Sequence, residues 1–403
     1  MSTRANTKLL SVVKHGLFYL LIGVILFLST YSLPVESYNP TNTAYSVYSH
    51  FILLFTTIII GVYYLHNNAV LELNFTLFIF GATISFAAIS STIYYHHIRF
   101  VSTILIWNLL LFTTILLIGL LLDKQKIPRM CVRFLFLFSL FSLVISLLSM
   151  VHPLQWGWIE ITYNSEYPRI AGWFVNPNYL APVLAVGFLT TVHYYEKYNH
   201  IYIYPSALFM IGMLFTGSRG VTIAVIVAIL VYFSLDRDIS IGRIGLYSIA
   251  GVIILGICVL LFQHTTNVFH RETPFARLEI WAEGFTVLAS SSPFELLLGN
   301  GHRYFITEVG ESPHNGYIRF LIDYGIVFLV LYSILVYYLG RYLYFSREVD
   351  SSFWLSVLVF LLVRDMTDQA IFHIRFESFV FMLVVLVCHI WLTSNWNSNQ
   401  TID

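Results

Sequence analysis

Twelve nearly uninterrupted apolar stretches, joined mostly by short polar turns, constrain this chain of 403 residues more than any other feature. They fall at approximately 16–30, 48–65, 75–93, 100–122, 131–151, 179–195, 201–215, 221–235, 244–262, 317–338, 353–363 and 376–391. A helix needs roughly 20 residues to cross the hydrocarbon core of a bilayer, so the chain has room for twelve crossings and their loops. Mean hydropathy is +0.77, with 58% hydrophobic and 10% charged residues, more apolar surface than a fold in water can hide. The expected fold class is therefore all-α: a polytopic integral membrane protein with about twelve transmembrane helices. It forms one membrane domain over 1–403, with the first five helices at 15–151. Zero net charge gives no support to a nucleic-acid partner. Cys131, Cys258 and Cys388 are too sparse for a disulfide framework or a cysteine metal site. The first run follows Arg4, Lys8 and Lys14 as a signal sequence would, but no small-residue cleavage pattern follows Thr30, so it reads as a retained helix.

Basic residues set the orientation, because cytoplasmic loops accumulate Lys and Arg. With the N-terminus inside, the dense loop DKQKIPRMCVR is cytoplasmic and both termini share that side. All the lysines (Lys8, Lys14, Lys124, Lys126 and Lys197) then lie inside. The outer cations are all arginine: Arg99, Arg169, Arg219, Arg271, Arg277, Arg303, Arg319, Arg364 and Arg375. Arginine presents a planar fork that matches phosphate oxygens in pairs and stays charged where the dielectric is low, so an outer face using Arg alone points to phosphate recognition. The competing reading is topological depletion of Lys, with Arg snorkelling to lipid headgroups.

The longest loop, 263–313, falls on the outer side. Its amphipathic stretch TPFARLEIWAEGFTVLAS, opened by Thr273 and Pro274, predicts a helix lying along the membrane surface. A turn-rich piece, SSPFELLLGNGHR, follows it.

Four outward segments carry polar groups suited to chemistry. In RIAGWFVNPNYLA, Arg169 precedes a helix entrance where Pro177 disfavours helix at Asn176, and Asn176 and Asn178 are placed to cap. In FTGSRGV, Gly217 and Gly220 flank Ser218 and Arg219 at a helix start. Free amides, a hydroxyl and a guanidinium there make an anion site. The short runs on either side of this turn allow it to sink into the membrane around a polar cavity. PFARLEIW puts Arg277 beside Glu279 and Trp281, where a surface Arg–Glu pair of little consequence is the plainer reading. SPHNGYIRFLIDYG puts His314 and Asn315 at a helix mouth, with Arg319 and Asp323 about one and two turns inside. Histidine is the side chain best suited to take a proton near neutral pH. The candidate substrate contacts are Arg169, Arg219, Arg277, Ser218, Asn178 and Arg319, and the candidate catalytic pair is His314 and Asn315.

In this order the segments GWFVNPNYLA, TGSRG, ARLEIW followed by LLGNG, and HNGY with Gly325 ten residues after Asn315 resemble the O-antigen ligase family of bacterial envelope enzymes, which also contains O-antigen and capsule polymerases. The likeness runs from about Arg169 to Gly325, within a catalytic region of 165–330 that includes the outer loop. The family's further small or hydroxyl position is Phe328 here, a departure that bears on the ligase assignment. The resemblance implies a metal-independent, inverting glycosyltransferase with no cofactor, acting at the extracytoplasmic face of the inner (plasma) membrane. It would take a glycan from a polyprenyl diphosphate carrier and join it to an acceptor hydroxyl on a saccharide or glycolipid. Arg169, Arg219 and Arg277 would hold the diphosphate, His314 would accept the proton, and Asn315 would orient it or the sugar. A diphosphate leaves readily, so fixed positive charge is needed where negative charge develops, rather than a carboxylic acid. No HExxH pattern or acidic pair with metal-ligand spacing is present. A transporter or flippase for the same lipid-linked sugar would spread its charges over pseudo-symmetric halves, whereas the polar motifs here crowd after Arg169. A non-catalytic membrane scaffold would leave the Arg-only face unexplained.

Overall fold

The computed structural model describes residues 126–151, 154–156, 159–161, 170–172, 174, 176–235, 274–301, 304–346, 348–368 and 376–399, together with Thr83. The first four apolar runs apart from Thr83, the whole of the ninth, and Arg99, Arg169, Arg271, Arg303 and Arg375 lie outside the described residues. The other seven runs are helices: α1 (Ile127–Val151), α2 (Pro177–Lys197), α3 (Ile203–Thr216), α4 (Arg219–Leu235), α8 (Gly316–Phe345), α9 (Ser351–Asp365) and α10 (Phe376–Asn399). Three shorter helices fall in the region of the long loop: α5 (Pro274–Ser290), α6 (Pro293–Leu298) and α7 (Tyr304–Val309). Ile127–Ser149 and Gly316–Phe345 are long and apolar enough to cross a membrane.

The described chain is helical, as the all-α expectation has it, apart from one small hairpin in a stretch between apolar runs, β1 (Leu154–Trp156) paired antiparallel with β2 (Ile159–Ile161). Trp156, Ile159 and Ile161 are residues whose branched or aromatic side chains favour strand over helix. One correction concerns SSPFELLLGNGHR, read as turn-rich. Ser292 accepts from the Glu295 amide and Glu295 accepts from the Ser292 amide, a capping box that starts α6, with Pro293 in its first turn.

Helix α1 buries four serines among apolar residues such as Cys131, Leu135 and Leu143, and also exposes large apolar side chains. Ser139, Ser142, Ser146 and Ser149 are buried, while Leu137, Phe141, Val144 and Leu148 are exposed. The Ser139 hydroxyl donates to the Val183 carbonyl of α2 at 2.8 Å. Opposite it, Gly187 leaves so little room that a Cβ would stand 2.5 Å from that of Ser139, so small residues set the α1–α2 spacing. Helix α2 packs between α1 and α3, and α4 packs along α9.

The long helix α8 is broken at Gly325, whose φ of 80° and ψ of 179° are closed to residues with a side chain. A break strips carbonyls of their helical donors. The loop after α6 supplies new ones. Asn300 N donates to Ile322 O at 3.0 Å, Gly301 N donates to Asp323 O at 2.8 Å, and the Asn300 side-chain amide also donates to Ile322 O at 3.1 Å. A Cβ on Gly299 would overlap the backbone of Asp323 and Tyr324, and one on Gly325 would overlap that of Gly299 and Leu297. LLGNG and the glycine after HNGY are thus two halves of one joint. Below it, Arg319 and Asp323 form a buried pair at 2.8 Å, and Asp323 Oδ1 accepts from the Phe305 amide of α7.

Candidate functional site

The alternation of the helices brings the N-termini of α2, α4, α8 and α10 and the C-termini of α3 and α9 to one end of the bundle. Their meeting point is the segment Arg364–Asp368, written RDMTD, where α9 ends.

Arg364 is 2% exposed and organises the centre. Its Nη2 donates to Asp368 Oδ2 and, at 3.4 Å, to the carbonyl of Asn178 at the start of α2; its Nη1 donates to Thr367 Oγ1 at 3.3 Å. Glu377 Oε1, in the first turn of α10, stands 3.9 Å from its Nε. The contact with Asn178 has a cause in the sequence. Pro182, inside α2, has no amide hydrogen, so the carbonyl four residues earlier, that of Asn178, loses its ordinary helical donor and is left for the guanidinium. Asn176 caps the same helix, its side chain accepting from the Asn178 amide at 2.8 Å.

The α3–α4 turn closes on this centre. Gly217, with φ of 64°, ends α3, and the Ser218 amide donates to Thr216 Oγ1 at 3.3 Å. Arg219 opens α4 and is exposed, whereas Ser218 is buried. Gly220 lies so close to Thr367 that a Cβ there would stand 2.6 Å from the Thr367 Cβ. TGSRG is therefore tied to RDMTD by a glycine contact as well as by sequence order.

On the other side, α8 begins at Gly316, where a Cβ would stand 2.8 Å from Asp365 Oδ1. Asn315 caps the helix, its side chain accepting from Tyr317 N at 3.0 Å and Ile318 N at 3.2 Å, and the Tyr317 hydroxyl donates to Leu362 O at 2.9 Å. His314 precedes the cap with φ of 47°, the one non-glycine residue with positive φ among those described. A side chain held in this sparsely populated region is over-determined by its surroundings. Two contacts hold it. Trp281 Nε1 of α5 donates to Pro313 O at 2.7 Å, and His314 Nδ1 stands 3.9 Å from Asp368 Oδ1. Arg277, one turn before Trp281, reaches Thr367 O with Nη1 at 3.4 Å.

Of the residues singled out in sequence, Ser218, Arg219, Arg277, His314, Asn315 and Asn178 are gathered around Arg364–Asp368. Arg169 is outside the described residues. Arg319 is not at the mouth: it is 2% exposed and turned to Asp323 in the core of α8. Asn178 contributes its carbonyl, and Asn315 a helix cap. Sequence reading placed Arg364 among the outer cations without assigning it a role, and it missed Asp368, Thr367 and Glu377. The available signal was the cluster Arg364, Asp365 and Asp368 following a wholly apolar run, since ionisable groups at such places are costly unless they work together.

The arrangement supplies a half-exposed imidazole 3.9 Å from a carboxylate, with Arg277 on the Thr367 carbonyl and Arg219 exposed at the start of α4. A carboxylate behind the ring stabilises the charge it gains on taking a proton, and guanidinium groups suit anionic oxygens. Among the described residues, no group of three or more His, Cys, Asp or Glu is placed to hold a metal ion. No protein-family model matches the chain, and no curated protein matches it.

Proposed function

We propose that the protein is a membrane glycosyltransferase of the O-antigen ligase and polymerase type, with about twelve membrane-spanning helices and both termini in the cytoplasm. Its site opens at the extracytoplasmic face of the inner membrane. One observation carries this reading: NPNYLAP, TGSRG, ARLEIW and HNGY, spread over more than a hundred residues of chain, all contact the short segment Arg364–Asp368. The exposed Leu137, Phe141, Val144 and Leu148 of α1 support lipid as the surrounding solvent.

In the proposed reaction the acceptor hydroxyl oxygen attacks the anomeric carbon of the carrier-linked sugar. The bond from that carbon to the phosphate oxygen breaks, and polyprenyl diphosphate leaves with the electron pair. His314 takes the hydroxyl proton, Asp368 steadies the resulting imidazolium, and Arg219 and Arg277 stabilise charge on the leaving diphosphate. Arg364 keeps Asp368 in place. The buried Phe328, packed between Phe320 and Tyr324, occupies the position where the ligase pattern has a small or hydroxyl residue, which favours the polymerase branch.

The test is a purified full-length chain given a synthetic polyprenyl diphosphate saccharide with and without a separate glycolipid acceptor. Carrier-linked chains lengthened by repeat units identify a polymerase, and glycan moved to the separate acceptor identifies a ligase. Movement of intact donor across a vesicle membrane without bond cleavage would replace the enzyme by a transporter.

A further inference from the structure

A second cavity, of about 530 Å³, lies at the opposite end of the bundle from the site described above. One wall is the beginning of α1, where Arg129 and Arg133 stand one turn apart and Phe136 follows on the same face. The other wall comes from the last turns of α2 and the 3-10 turn after it, with Tyr194, Tyr198 and Tyr202. These rings form one packed group: Tyr194 lies 5.0 Å from Tyr202, 5.5 Å from Tyr198 and 5.8 Å from Phe136, centroid to centroid.

The base of the cavity is polar and already satisfied. His193 Nε2 stands 3.1 Å from Asp350 Oδ1 and its Nδ1 3.2 Å from the Tyr232 hydroxyl, with His193 and Asp350 both buried. Asp350 is thus engaged by His193 and not by the arginines, which leaves two guanidinium groups exposed at the cavity. Tyr194 is 9% exposed and its hydroxyl has no exposed surface, so it is the ring that the cavity meets.

Two arginine forks and an aromatic wall form a receptor for an anion with oxygens on one side and apolar bulk on the other. We propose that this cavity binds a phosphate ester carrying an apolar portion, with Arg129 and Arg133 on the phosphate oxygens and the rings against the apolar part. Two sources share that chemistry, the headgroup of an anionic bilayer lipid and a soluble phosphate ester. On the proposed topology this end is cytoplasmic, where basic pockets between helices meet anionic lipid.

The experiment uses the full-length protein purified in detergent and offered, in separate arms, phosphatidylglycerol, phosphatidylcholine and soluble glycerol phosphate. Retained lipid is measured by native mass spectrometry, and thermal unfolding is followed in parallel. No glycan donor or acceptor is present, so the outcome is independent of the transferase reading. Phosphatidylglycerol should be retained about 10-fold more tightly than phosphatidylcholine, and the double variant Arg129→Ala, Arg133→Ala should lose the preference. If glycerol phosphate stabilises the wild type but not the double variant, and the two lipids are held alike, the occupant is a soluble ester and the site stands. Identical behaviour of wild type and double variant toward all three probes overturns the proposal.

Discussion

Pro182 shows how one residue can serve a site it does not touch. By withholding an amide from α2 it frees the Asn178 carbonyl, and Arg364 takes that carbonyl as one of its anchors. Pro182→Ala should restore the helical bond and stabilise α2, since proline in a helix interior costs about 3 kcal/mol. It should also loosen Arg364 and lower glycan transfer by roughly 3- to 10-fold, as a small misplacement of a catalytic support does. A higher melting temperature with unchanged turnover would show that the Asn178 contact has no bearing on activity. Arg219→Lys asks a different question, because it keeps the charge and removes the fork. Folding should persist while transfer falls by roughly 10-fold or more. Near-normal transfer would make Arg219 a point charge or a headgroup anchor. Most of these residues were legible in the sequence from their local company of Gly, Pro and Asn. Arg364 and Asp368 were not, because RDMTD has no turn signature and its meaning depends on four other elements arriving beside it. Arg319 misled for the complementary reason: its partner Asp323, one turn on, made burial as reasonable as exposure, and spacing alone cannot choose between them.

At the scale of elements, the break in α8 is the feature on which the site's geometry depends most. The short half from Gly316 to Tyr324 carries the His314–Asn315 cap at its start and is held at its end by the loop at Gly299–Gly301. Gly325→Ala would force a side chain into a backbone region that only glycine occupies and into the space of Gly299 and Leu297. Strain and overlap together should cost about 3 kcal/mol or more, lowering the melting temperature of the purified protein markedly. An unchanged melting temperature would mean that the joint is not built as described. The sequence showed the spacing from His314 to Gly325 but not the reason for it. The reason is a contact between α8 and a loop about two dozen residues earlier, and no local propensity encodes a contact. Helix α6 was missed for a smaller cause: the capping box of Ser292 and Glu295 lies within a piece whose Ser, Pro and Gly content reads as turn.

At the scale of the whole molecule, the two ends of the bundle differ in chemistry. One gathers His314, Arg219, Arg277 and the acids around Arg364; the other holds Arg129 and Arg133 over the His193–Asp350 pair. The proposed topology places the first end outside, so a reporter fused after Val309 should behave as extracytoplasmic. Cytoplasmic activity at that position would separate the site from a carrier at the outer leaflet. The seven apolar runs that form helices among the described residues were plain in the sequence, because long uninterrupted apolar stretches read as helices whatever surrounds them. Which helix ends meet was not, since that is decided by packing. The central claim is that His314 removes the acceptor's proton while the arginines hold the diphosphate. Its most direct test measures donor affinity and turnover separately for purified His314→Ala with a synthetic polyprenyl diphosphate sugar. The account predicts nearly unchanged donor affinity and turnover lower by roughly 100-fold or more. Substantial turnover by that variant would contradict it.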